Sequence, residues 1–190
     1  MSFGSFDLLF KLIKMTKKII AFGASSSTNS INKQLAVYAA SQFENTDVEV
    51  LDLNDYEMPI FSLDKESKNG IPELATQFFN KLGTADLVVV SLAEHNGAYS
   101  TAFKNIFDWT SRINPKFFQE KQTLILSTSP GPRGGLTVLE IAKNRFPFQG
   151  AVIKGSFSLP SFNDNFNSNE GITNEKLKSN LLEIIQSIEL

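Results

Sequence analysis

The chain has 190 residues, 42% of them hydrophobic, with 18 basic and 20 acidic side chains and a formal charge of -2. That fits one soluble globular domain and gives no field for steering toward nucleic acid. With no cysteine and one histidine, disulfides, thiolate metal sites, cysteine nucleophiles and His-rich metal centres are all excluded.

Residues 1–14, "MSFGSFDLLFKLIK", carry an apolar stripe broken by Lys11 and Lys14 and have no small-residue cleavage site, so they do not read as a signal peptide. They read either as an upstream extension ahead of Met15 or as a short amphipathic helix packed on the body, leaving 15–190 as a single domain. No stretch reaches the roughly 18 uncharged apolar residues that a membrane helix needs. The expectation is a cytoplasmic protein with neither a nucleic acid nor a membrane partner.

From there, apolar runs at 19–22, 47–53, 85–92, 122–128 and 151–159 read as five strands, several apolar enough to be buried on both faces. Helical spacing separates them. The first such face is Ile31, Leu35, Tyr38 or Ala39, and Phe43; the second is Leu74, Phe78 and Leu82, after Pro72. Phe103, Ile106, Phe107 and Thr110 form a third, and Leu136, Leu139 and Phe146 a fourth that Pro147 stops. Leu177, Leu181, Ile184, Ile185 and Ile188 mark the last.

Strands alternating with helices predict a parallel sheet covered on both faces, an α/β three-layer sandwich of flavodoxin-like order 2-1-3-4-5. In such sheets ligands bind beyond the carboxyl ends of the strands, where the strand order reverses. That points to the loops after strands one, three and four: "GASSSTNS", "AEHNGAYS" and "STSPGPRGG".

The first loop leads into a helix, whose unpaired amides and partial positive charge suit an anion. Six consecutive hydroxyl or amide side chains, Ser25 to Ser30, exceed what capping alone requires, and they read as a phosphate site with capping as the alternative. The loop matches neither G-x-G-x-x-G nor G-x-x-x-x-G-K-[ST], so the common dinucleotide and triphosphate readings lose their support. In the second loop, Asn96 and Gly97 suit positive backbone torsions, and Ser100 begins a helix. Glu94 reads as a ligand contact or as an acceptor for backbone donors, and His95 as a packing group rather than a catalytic base. The third loop, Ser127 to Gly135, is a rigid turn with Arg133 as its only charge, placed either on a nicotinamide cofactor's phosphate or in solvent. Trp109 reads as packing.

At these three loops the sequence resembles the NADPH-dependent FMN reductase family, which includes quinone, azo-dye and chromate reductases. "GASSSTNSINKQLA" (23–36) is similar to the family's phosphate loop, which ends in Ser-x-Asn before a Leu-rich helix; Ser30 and Asn32 fall on its Ser and Asn. "AEHNGAYSTAFKNIFDW" (93–109) resembles its Pro-Glu-Tyr-Asn segment and the helix that follows, and "STSPGPRGG" (127–135) its loop beside the flavin ring. Two departures stand out: the phosphate loop lacks the family's common arginine, and Ala93 and His95 replace the Pro and Tyr.

The resemblance implies bound FMN with NAD(P)H as co-substrate. Its contacts would be Ser25, Ser27, Ser30, Ile31 and Asn32 from the first loop and Glu94, His95, Asn96 and Gly97 from the second. Ser127, Ser129, Pro130, Gly131, Arg133, Gly134 and Gly135 would complete the set. It further implies hydride transfer from NAD(P)H through the flavin to a small-molecule acceptor in a ping-pong cycle, with no protein nucleophile and no metal, in a homodimer or homotetramer. Two alternatives stay open: a flavodoxin-type electron carrier, for which a charge of -2 is unusually mild, and a flavin-free binding module on the same fold.

Overall fold

A computed structural model describes residues 16–190, so the alternatives for residues 1–14 lie outside the described residues. A five-stranded parallel sheet forms the centre, built from β1 (Lys17–Ala24), β2 (Thr46–Leu51), β3 (Leu87–Leu92), β6 (Gln122–Thr128) and β7 (Val152–Leu159). Their order is β2-β1-β3-β6-β7, the expected 2-1-3-4-5.

The period-two alternation of the strands sorts the core into two layers. Ile19, Ala21, Leu87, Val89, Leu124 and Leu126 face α1 (Ile31–Ser41) and α7 (Glu175–Gln186), meeting Leu35, Ala36, Ala39, Leu181 and Ile185. Ile20, Phe22, Val88, Val90 and Ile125 face the other way, toward α3 (Glu73–Gly83), α4 (Thr101–Ile113) and α5 (Leu136–Arg145). Phe22 packs edge-on against Phe78 of α3 with centroids 5.5 Å apart. Trp109 of α4 is buried and donates its indole N–H to the Pro59 carbonyl at 2.7 Å, so it packs, as its sequence context suggests.

Four elements go beyond the sequence reading. A short helix, α2 (Leu63–Asn69), follows the Ser62 cap and buries none of its residues; a helix with no core face leaves no periodic signature. The second loop is a small hairpin, β4 (Glu94–His95) with β5 (Ala98–Tyr99). After β7, the Asn-rich stretch forms α6 (Phe162–Asn165) and a second hairpin, β8 (Phe166–Asn167) with β9 (Gly171–Ile172). Boundaries also move: the second strand ends at Leu51 because the Asp52 side chain caps a 3-10 turn at Leu53–Tyr56, and α5 ends at Arg145, one residue before a 3-10 turn that contains Pro147.

No described helix is long and apolar enough to cross a membrane.

Candidate functional site

β1 connects to β2 on one side and neighbours β3 on the other, so the reversal of strand order lies between β1 and β3. Beyond their carboxyl ends and that of β6 is a cleft of about 210 Å³. The three loops line it: Ser25, Ser27, Asn29, Ser30, Ile31 and Asn32 from the first, Ala93, Glu94 and His95 from the second, and Thr128, Ser129 and Pro130 from the third. Topology alone brings these distant segments together.

The first loop is short of internal partners. Ser25 N–H bonds to the Gly23 carbonyl, Ser27 N–H to Ser25 Oγ at 3.2 Å, and Lys33 N–H to Ser30 Oγ at 3.1 Å. Among the described residues, no protein acceptor meets the amides of Ser26, Thr28, Asn29, Ser30, Ile31 or Asn32. Those open donors, together with the positive end of the α1 dipole, make the loop an anion cradle. Gly23 lets it sit where it does: a Cβ there would lie 2.3 Å from the Lys33 amide nitrogen, so only glycine allows the first turn of α1 this close to β1.

The adjacent charge is already taken. Lys33 Nζ pairs with Asp52, whose carboxyl is held below the ordinary Asp range first by that ammonium and then by the Asn54 N–H. The cradle is thus built of neutral donors, which answers the missing family arginine.

Asn32 lines the cleft and also bridges three elements of the fold. Its side chain is buried and makes three bonds: Oδ1 accepts from Ser91 Oγ at 2.7 Å and from Thr128 N–H at 3.1 Å, while Nδ2 donates to the Thr128 carbonyl at 3.2 Å. It therefore ties α1 to β3 and to the end of β6, which leaves its backbone amide and one side-chain N–H for a ligand. Ser30 Oγ accepts from Lys33 N–H as the α1 cap, which is the capping alternative.

In the second loop, Asn96 and Gly97 have φ of 53° and 76°, the pair of positive torsions that a two-residue hairpin turn requires. Both lie outside the cleft lining. Glu94 turns its Oε2 to accept from Val138 N–H in the first turn of α5, at 3.1 Å, which is the backbone-acceptor alternative. His95 is exposed at the cleft edge. Ser100 begins α4 as expected, capping Phe103 N–H, and also donates to the Ala24 carbonyl at 2.8 Å.

Below the hairpin, Tyr99 lies among Phe103, Phe107 and Phe146, its hydroxyl buried without a partner among the described residues. That burial pushes its pKa up to about 12, against a small opposing pull from Arg145.

The third loop is braced from within. Ser127 is buried and donates to the Gly134 carbonyl at 2.8 Å, and Thr128 Oγ1 donates to the Leu159 carbonyl at 2.7 Å. At Gly134, φ is 58° and a Cβ would meet the Leu159 backbone at 2.8 Å, so this position admits only glycine. Ser129 and Pro130 line the cleft; Ser127, Gly131, Gly134 and Gly135 do not. Arg133 is exposed and bonds weakly to Thr137 Oγ1 at 3.3 Å, facing a separate depression on α5.

Sequence reasoning missed Ala93 and Thr128 as lining residues, although both stand in the quoted loops. Among the described residues no cluster of His, Asp and Glu could hold a metal ion.

The residues fit an FMN phosphate: open amides and hydroxyls surround the α1 terminus, and the only carboxylate of the cleft, Glu94, is engaged with α5.

The chain is 29% identical over 164 residues to the uncharacterized protein MG342 homolog of Mycoplasma pneumoniae, covering 84% of this chain and 96% of that one. It is 29% identical over 109 residues to the quinone reductase of Escherichia coli K12, spanning 52% of this chain and 58% of that enzyme. In fold it is similar to FerB, the flavoenzyme NAD(P)H:(acceptor) oxidoreductase of Paracoccus denitrificans, with a TM-score of 0.71, 21% identity and coverage of 90% of this chain and 94% of that one. The sequence profile of the NADPH-dependent FMN reductases matches residues 17–164, from the first strand through the third loop and beyond, and the chain belongs to that family of oxidoreductases.

Proposed function

We propose that this protein binds FMN in the three-loop cleft and acts as an NAD(P)H-dependent reductase of small acceptors, quinones first among them. The observation that carries this reading is the uncharged cradle of open amides at the start of α1, joined in one cleft to the second and third loops. A quinone is favoured because the Escherichia coli relative is a quinone reductase.

The Ser25 to Asn32 segment would hold the phosphate through its backbone amides and the hydroxyls of Ser25 and Ser27. Glu94, His95, Ser129 and Pro130 would flank the ring, while Ser127, Gly131, Gly134 and Gly135 shape the third loop from behind. When bound, FMN would supply the redox chemistry, taking hydride from NAD(P)H and passing it to the acceptor in alternate halves of a ping-pong cycle.

The protein's part is binding and electrostatics. Amides preset by the Asn32 bridge would meet the phosphate with little reorganisation. The open rim at His95 leaves one side of the cleft accessible to reductant and acceptor in turn. Arg133, beyond that rim, is a candidate contact for the nucleotide phosphates of NAD(P)H. Pairing of two or four copies is a further expectation.

A visible spectrum of the purified protein, with chromatography of the released cofactor, tests the binding. FMN in near-equal molar amount and NAD(P)H turnover with a simple benzoquinone are the expected results. Protein that stays colourless after incubation with FMN and desalting would refute the reading; bound FMN with negligible turnover would mark a carrier instead.

A further inference from the structure

Beside the cleft runs a larger groove, about 800 Å³, between the outer face of α1 and the β8–β9 hairpin. Gln34, Val37 and Tyr38 form one wall; Phe166, Asn169 and Glu170 form the other. The two walls are locked together. Gly171 of β9 lies flat against the Tyr38 ring, where a Cβ would come within 1.9 Å of Cε2, and Phe166 meets the same ring edge-on at 5.7 Å. The groove is therefore built into the fold.

One fact ties it to the candidate flavin site. Groove and cleft share Asn29 and Ser30, the residues at the α1 terminus whose amides are open. An anion seated there sits between two openings, with a way out on the side away from the ring loops. The Tyr38 hydroxyl beneath the groove is also buried and lacks a hydrogen-bond partner among the described residues.

The chemistry of the walls narrows the occupant. Lys33 lines the groove but is paired with Asp52, and Glu170 adds a negative charge, so a second polyanion is disfavoured. Hydroxyls, amides, a carboxylate acceptor and two aromatic rings suit an uncharged nucleoside, whose ribose diol and base need those partners.

We propose that the groove receives the nucleoside half of a flavin dinucleotide, so that the cleft accepts FAD as well as FMN, with the pyrophosphate crossing Asn29 and Ser30. The inference rests on the flavin reading above.

Calorimetric titration of flavin-free protein with FMN and with FAD tests it, on the wild type and on Val37→Trp and Asn169→Trp, which add bulk from opposite walls at exposed positions. FAD should bind the wild type within about tenfold of FMN, and each variant should weaken FAD at least about tenfold while changing FMN less than about twofold. Retained FMN binding reports that the variants are folded. The proposal is overturned if FMN binds and FAD does not, or if the variants shift both flavins alike or neither. It is also overturned if they instead raise the KM for NAD(P)H of FMN-loaded protein, which would assign the groove to the reductant. If neither flavin binds the wild type, the flavin reading itself fails and this one with it.

Discussion

Replacing Asn32 by alanine removes no apolar contact of consequence but breaks three hydrogen bonds at once, those to Ser91 Oγ and to both backbone groups of Thr128. Ser91 and Thr128 are fully buried, so solvent does not reach the freed groups. An orphaned buried polar group costs about 1–3 kcal/mol. The Ser91 hydroxyl can rotate and a water can enter the vacated space, so a net loss of about 3 kcal/mol is expected. For a domain of this size that is a fall in Tm of about 6–12 °C. The second consequence concerns binding. Without the bridge the α1 terminus and the end of β6 are no longer held in one arrangement, so FMN affinity should drop at least about tenfold. Thermal unfolding and flavin titration measure the two effects, and Ser91→Ala separates this account from direct ligation. Ser91 is absent from the cleft lining yet holds Asn32 in place, so its loss should weaken FMN in the same direction. Asn32→Ala costing under about 1 kcal/mol, or Ser91→Ala leaving FMN affinity untouched, would refute the positioning role.

Tyr99→Phe deletes a buried hydroxyl that has no partner among the described residues, so Tm should hold or rise, and a fall of several degrees would show an unseen bond. The Tyr99 pKa is raised in the fold from 10.0 to about 12, so its stabilisation is complete below pH 10 and is lost as pH rises toward 12. Any gap between the unfolding midpoints of wild type and Tyr99→Phe should therefore stay constant below pH 10 and widen only above it. Asp52 runs the other way: its pKa is depressed below 3.8, so the ion pair with Lys33 helps above that value and fades as pH falls through the folded one. Asp52→Asn should cost at most about 1 kcal/mol at pH 7, the pair being partly exposed, and nothing in strong acid, as urea titrations at both pH values would show. Gly134→Ala forces a Cβ against the Leu159 backbone at a φ of 58°, and a loss of about 2–4 kcal/mol with weakened FMN binding is expected. A fully stable Gly134→Ala protein would mean that the third loop adapts.

The sheet order and the location of the cleft were legible because they follow from patterns that do not depend on detail. Runs such as Leu87 to Leu92 can only be doubly covered strands, and once five of them alternate with helices the carboxyl-end loops of β1, β3 and β6 converge by topology. The β8–β9 hairpin was illegible for the opposite reason: its two-residue strands carry no alternation, and it is held by contacts such as Phe166 on Tyr38 that only the tertiary structure creates. Side-chain roles divide along the same line. Asn96 and Gly97 were readable as a turn because positive φ is a local property of the residue type. Asn32, Ser30, Glu94 and Ser127 read from sequence as ligand contacts, with capping open for Ser30 and a backbone-acceptor role for Glu94, because hydroxyls, amides and carboxylates serve a phosphate and an orphan backbone group equally well. Which one they serve depends on what the fold leaves unpaired nearby. Around this cleft the side chains satisfy protein groups, at Lys33 N–H, Thr128, Val138 N–H and the Gly134 carbonyl, and the backbone of the first loop is what remains free. A cradle made of amides places few demands on side-chain identity, so the arginine common in the family can be absent here without loss of the site.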